Sequence, residues 1–202
     1  MAKTIASKKN ATQKSTASST KKKTVQQKTD VESNDIGKTN SLHTFFTKSL
    51  NSIYWCEKQL IGALENLEKA ALTPELQDAF EDHKLQTQKH VSRLEKIFIM
   101  IERIPVPQKN DTLIELIKEA DIIIQEIPSS MTRDAALIIA AQKVEHYEIA
   151  TYGGLAALAW TMALNDVASI LELTLEEEEL TDLDLTDIAE TYINFESVEE
   201  AC

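Results

Sequence analysis

Apolar residues recur three and four positions apart along nearly all of the chain after residue 40, the signature of helices with one buried face. Leu50, Ile53, Leu60, Ile61 and Leu64 mark one stripe, and Leu76, Phe80, Val91, Leu94 and Phe98 a second. Ile138, Ala141 and Ala156 lie on a third, and Leu171, Leu175 and Leu185 on a fourth. No segment shows sustained strand-like alternation, and glycine and proline number only four each. The spacing predicts a first helix from about Asn40 to Ala71 and a second from Pro74 to about Ile104, with Thr73 placed to cap the second and Pro74 suited to its first turn. Pro105 and Pro107 end that helix. A shorter amphipathic segment, Thr112 to Ile127, leads to Pro128. Another long helix follows from near Thr132 to Leu164, and a last one from about Asp166 to Glu190. Short turns make consecutive long helices antiparallel neighbours. The fold class is therefore all-α, an antiparallel four-helix bundle of two helical hairpins with a short linking helix.

Each long helix carries polar side chains on its inner stripe. Glu57 sits in the middle of the first, and His83, Gln86, Thr87 and His90 interrupt the second. Glu145, Glu148 and Tyr152 share the face of the third stripe, and Glu178 and Asp182 that of the fourth. Counted outward from the hairpin turns, Gln86 and His90 come level with Glu57, while His83 lies about a turn and a half nearer the loop. Glu178 and Asp182 bracket the levels of Glu148 and Glu145. Buried carboxylates are costly unless paired, hydrogen-bonded or bound to a metal. Carboxylate oxygens with one or two imidazoles suit iron or manganese better than zinc. Glu57, His90, Glu145, Glu148 and Glu178 are the candidate metal ligands. His83, Gln86, Asp182, Tyr54 and Tyr152 are candidates for ligation or for holding a ligand in place, the tyrosines through hydroxyls bonded to an inner carboxylate.

The competing expectation is metal-free: Glu145 and Glu148 in a salt-bridge or hydrogen-bond network, and His83 as a satisfied core histidine. In the run from Glu176 to Glu179 only Glu178 has the inward phase, and its three neighbours are expected to face water. Cys56 is expected to pack as a small hydrophobe.

Composition divides the chain near Asn40. Residues 1–40 hold nine lysines, no arginine, three acids and twelve serines or threonines, a net charge of +6, whereas the remainder carries twelve bases and thirty acids, −18. Such a basic segment buries too little apolar surface to offset ordering its backbone, and is expected to be a disordered tail. Lys8, Lys9, Lys21, Lys22 and Lys23 are candidates for weak contact with nucleic acid phosphates. Without arginines or aromatics, a solubilising leader is the favoured alternative. The bundle is assigned to residues 41–195 and a short C-terminal tail to 196–202. No apolar run approaches a membrane span, and no apolar segment follows the first lysines, so the cytoplasm is the expected location.

Three stretches, IYWCEKQL at 53–60, RDAALIIAAQKVEHYEIATYG at 133–153 and TLEEE at 174–178, resemble the YciF-like branch of the bacterial ferritin-like, rubrerythrin-related superfamily. The resemblance covers residues 42 to 190. It implies a ferritin-like bundle, a homodimer, a link to stress responses and a dimetal site to which Glu57, Glu145, Glu148 and Glu178 contribute. It suggests an iron-binding protein, with one or two ions, that oxidises Fe(II) or removes peroxide or oxygen; the alternative is a metal-free structural or interaction protein whose basic arm contacts DNA or a partner. Dimetal bundles combine one Glu from each of two helices with Glu-x-x-His from each of the other two, and no Glu-x-x-His occurs here. The family typically has HLEET where residues 83–87 read HKLQT, so Leu85 and Gln86 replace two acids.

Overall fold

Six α-helices make up the described residues, 41–200, of the computed structural model: α1 (Ser41–Ala70), α2 (Pro74–Met100), α3 (Asp111–Glu126), α4 (Met131–Thr161), α5 (Asn165–Ile188) and α6 (Asn194–Glu200). The helices α1 and α2 pack as one hairpin, α4 and α5 as the other, and α3 links the two while lying against α4. The helical stripes meet in a single core containing Leu50, Ile53, Leu60, Leu64, Leu76, Phe80, Leu94, Phe98, Leu137, Ile138 and Leu171. Burying a side chain of this size contributes about 1.5–3 kcal/mol, which sets the direction each helix faces.

Helix ends are fixed by specific groups. Asn110 accepts from Leu113 N–H at 2.9 Å to cap α3, and Ser130 accepts from Arg133 N–H at 3.1 Å to cap α4. Thr73 does not cap α2 through its side chain. Its hydroxyl instead donates to Asp134 Oδ2 at 2.9 Å, while Asp134 also accepts from the backbone N–H groups of Leu72 and Thr73. That buried aspartate ties the first hairpin turn to the start of α4.

The second helix ends at Met100 rather than near Ile104, and α4 ends at Thr161 rather than Leu164. Both stops place a non-glycine residue in the left-handed region, Glu102 at φ 54° and Ala163 at φ 58°. In each, an N–H reaches back five residues to close the helix end, Arg103 to Phe98 and Leu164 to Ala159, both at 2.9 Å. At the carboxyl end, α5 passes through a π-helical turn, Ala189–Ile193, into α6. Residues 196–200 are therefore helical, not a tail, and Glu200 accepts from Met131 and Thr132 N–H at the start of α4. The negative carboxylate suits the N-terminal end of that helix dipole. No helix among the described residues is long and apolar enough to cross a membrane. Lys8, Lys9, Lys21, Lys22 and Lys23 lie outside the described residues.

Candidate metal centre

Four helices aim ionisable side chains at the middle of the bundle: Glu57 from α1, His83 and His90 from α2, Glu145 and Glu148 from α4, and Glu178 from α5. All six are buried, with Glu57, His90, Glu148 and Glu178 at 0% exposure. They form two groups, each with ligand atoms within 4.8 Å of one another: His83, Glu145, Glu148 and Glu178, and Glu57, His90 and Glu178. Glu178 belongs to both. These groups could hold a metal ion.

The individual contacts explain how the cluster is arranged. His83 Nε2 lies 3.3 Å from Glu145 and 3.9 Å from Glu178. His90 Nδ1 lies 2.9 Å from Glu178 Oε1 and 3.5 Å from Glu57 Oε1, yet that nitrogen makes no hydrogen bond. Its other nitrogen, Nε2, faces Glu177 Oε2 at 2.7 Å. Arg93 grips the same Glu177 carboxylate with both terminal nitrogens, at 2.6 and 2.7 Å. Tyr152 donates its hydroxyl proton to Glu57 Oε1.

Six carboxylate oxygens of this cluster nevertheless remain buried without a well-aligned hydrogen-bond donor: Glu57 Oε2, Glu145 Oε2, and both oxygens of Glu148 and of Glu178, whose Oε1 faces His90 Nδ1 at 2.9 Å. Buried acceptors left this way cost about 1–3 kcal/mol each. An oxygen-rich cluster with two imidazoles is the donor set of non-haem iron or manganese, so these residues fit a cation of that kind.

Charge responds accordingly. Burial pushes the Glu148 carboxyl well above the ordinary carboxylate range, and the Glu57, Glu178 and Glu145 charges push it further. Glu145 is raised to about 7 by burial, against the pull of His83, and burial likewise raises Glu57. Burial opposes charge on His83, but Glu145 and Glu178 outweigh it and hold the imidazole at about 9. The same contest at His90 is won by Glu178 and Glu57, giving about 10. Burial also opposes charge on Glu178, where His90 and His83 prevail and lower its pKa.

Several expectations need correction. His83 stands in its own group with Glu145, Glu148 and Glu178, level with the centre rather than a turn and a half away from it, and it is also a buried histidine paired with Glu145. Gln86 Oε1 accepts from Thr181 at 3.2 Å, and Thr181 Oγ1 sits 3.4 Å from His83 Nδ1, so Gln86 stands behind a candidate ligand. Asp182 lies outside both groups: its Oδ2 pairs with the exposed His146, 3.3 Å away, while its Oδ1 is buried without a partner. Tyr54 donates to Glu95 at 2.9 Å, not to an inner carboxylate. Glu177 is half-buried and bonded to His90 instead of facing water. Cys56 is fully buried, as expected, with its thiol pushed up to about 12 chiefly by that burial.

Residues 41–197 match the family described as a domain of unknown function, DUF892. The chain belongs to the DUF892 family. Protein YciF of Escherichia coli strain K12 is 39% identical over 155 residues, which is 76% of this chain and 93% of that protein. Among solved structures, that of the E. coli stress protein YciF superposes with a TM-score of 0.74 at 38% identity, covering 77% of this chain and 98% of the other. YcfI from Rhodopseudomonas palustris gives 0.70 at 33% identity, with 76% and 96% covered. These relatives agree with the helical bundle built by this sequence.

Proposed function

We propose that this DUF892 protein binds iron in the bundle core, where the two groups that share Glu178 would hold it, and uses it in a stress response to oxidise Fe(II) with oxygen or peroxide. Manganese is chemically compatible with the same donors. The observation that carries this proposal is Glu148, a fully buried carboxyl with neither oxygen hydrogen-bonded. A cation among the four acids removes the cost of that arrangement, as no protein group does. Bound iron supplies one-electron redox chemistry. The chain's own part is to fix and neutralise it: Glu145, Glu148 and His83 on one side of Glu178, Glu57 and His90 on the other. Tyr152 holds Glu57, the Arg93 and Glu177 pair orients His90, and the apolar walls exclude bulk water. The similar E. coli YciF is described as a stress protein, which fits the stress-response part of this reading; a homodimer acting in the cytoplasm completes it.

A metal-free network is the alternative, supported by the two histidine and glutamate pairs and by Leu85 and Gln86 in place of two family acids. Two imidazolium ions neutralise two of the four acids, and in that reading the Glu148 carboxyl, pushed well above the ordinary carboxylate range by burial, is protonated and uncharged, with neither oxygen hydrogen-bonded. Iron content separates these readings. Protein purified from iron-supplemented cells is expected to carry up to about two irons per chain, as a dimetal bundle does, and Glu145→Ala to carry far less. Equal, negligible iron in both would favour the metal-free network and the interaction role it implies for the basic arm.

A further inference from the structure

A small cavity of about 20 Å³ lies between α1, α3 and α4. Its exposed end carries Asn66 and Asp121, its walls are built by residues including Leu64, Leu67, Ile117, Ala120, Ile124 and Ala140, and its buried end is formed by His83 and Glu145. The volume holds one small molecule. A water at such a site needs two to four polar partners, whereas apolar cavities stay dry and accept apolar guests. At the buried end His83 Nε2 is already paired with Glu145 Oε1, so Glu145 Oε2 is the one buried oxygen there with no donor. At that end a single acceptor among aliphatic walls offers water or peroxide one hydrogen bond where several are needed, and the other polar lining groups, Asn66 and Asp121, stand at the exposed end.

We propose that this cavity docks a small nonpolar gas, dioxygen, at the His83 and Glu145 edge of the metal centre. The proposal rests on the iron reading above and makes dioxygen the oxidant that this side of the centre admits. The electron balance is simple: two Fe(II) ions give up one electron each, and dioxygen takes both with two protons to leave hydrogen peroxide. Ala120 is the position at which the cavity can be closed, because it lines the wall from α3 and is not itself a candidate ligand.

Crystals of the full chain pressurised with krypton are expected to show the gas beside Ala120 and Ala140, and crystals of Ala120→Leu to show none. In stopped-flow measurements, Ala120→Leu is expected to slow Fe(II) oxidation by dioxygen about tenfold, a modest barrier increase, with Fe(II) affinity and peroxide-driven oxidation unchanged. The smaller Ala120→Val is expected to fall between the two, which guards against a folding defect in the leucine variant. An ordered water or no krypton in the native cavity overturns the proposal, as does equal slowing with both oxidants. Krypton bound in a protein that takes up no iron supports the docking site and overturns only the iron assignment.

Discussion

His90 Nε2 lies 2.7 Å from Glu177 Oε2, and Glu177 is itself clamped by both terminal nitrogens of Arg93. Arg93 holds the Glu177 carboxyl down at about 2, so it is an acceptor at any working pH. The proton of His90 is thereby fixed on Nε2, and Nδ1 is turned toward Glu57 and Glu178. Partners of this kind set the tautomer and orientation of a metal-bound imidazole, and losing them typically costs 10–100-fold in affinity. Glu177→Gln is expected to weaken Fe(II) binding by about tenfold in anaerobic titration calorimetry, and Arg93→Ala to have a similar effect. Unchanged affinity in both would remove Glu177 from the centre.

Acidity acts in opposite directions on the metal-free and loaded forms. In the metal-free protein Glu145 is raised from 4.5 to about 7, and His83 and His90 from 6.5 to about 9 and 10. Folded protein therefore binds these protons more tightly than unfolded chain does. Their contribution is full below the ordinary values and is lost as pH rises, through about 7 for Glu145 and 9–10 for the histidines. Glu177 and Glu178, both lowered, act the other way and are lost only as pH falls below 4.5. Thermal melts of metal-free protein should show Tm falling steadily from about pH 6 to 9. A cation displaces the same protons, so the stabilisation by added Fe(II) under anaerobic conditions should widen over that range. A melting temperature that rises with pH in the metal-free form would contradict these assignments.

Tyr152 and Glu57 test the inner hydrogen bond. Tyr152 is fully buried and its hydroxyl has Glu57 as its acceptor. Tyr152→Phe removes that donor and leaves Glu57 Oε1 without it, a loss of about 1–3 kcal/mol in unfolding free energy. Chemical denaturation should show the loss in metal-free protein and a smaller one once a cation holds Glu57.

Asp134 provides a contrast with no role in the centre. It accepts three hydrogen bonds from Leu72 and Thr73 at the α1–α2 turn. Asp134→Ala leaves two backbone N–H groups without their acceptor and should cost about 3 kcal/mol. Iron per folded chain is expected to stay at the native level. A fall in metal content at full folding would mean that the turn helps shape the site.

Helical phase alone picks out Glu57, Glu145, Glu148 and Glu178, because an acid in the middle of an apolar stripe has few reasons to be there. Tyr152 is legible for the same reason, one turn beyond Glu148. His83 is harder to place, since counting residues from the hairpin turn treats the helices as level ladders. Its spacing of seven from His90, two turns on one face, is the better signal. Glu177 is hidden by the run from Glu176 to Glu179, in which phase selects one inward residue and does not reveal that a neighbour can reach a histidine from the edge. Gln86, Asp182 and Tyr54 sit near the inner stripe in sequence, yet each finds a partner at the side of its helix. The ends of α2 and α4 are misplaced by a few residues because Glu102 and Ala163 occupy left-handed positions where a glycine would have marked the stop. Residues 196–200 read as a tail because Val198 is their one large apolar residue and is largely exposed, while this end reaches the core upstream, through Ile193.

An anomalous difference map at the iron edge, from crystals grown or soaked with Fe(II) without oxygen, tests the central claim most directly. Two peaks are expected, one among His83, Glu145, Glu148 and Glu178 and the other between Glu57 and His90, with the Glu178 carboxylate reaching both. Empty density there, with Glu148 bonded to a water or a protein donor at full Fe(II) saturation, would contradict it.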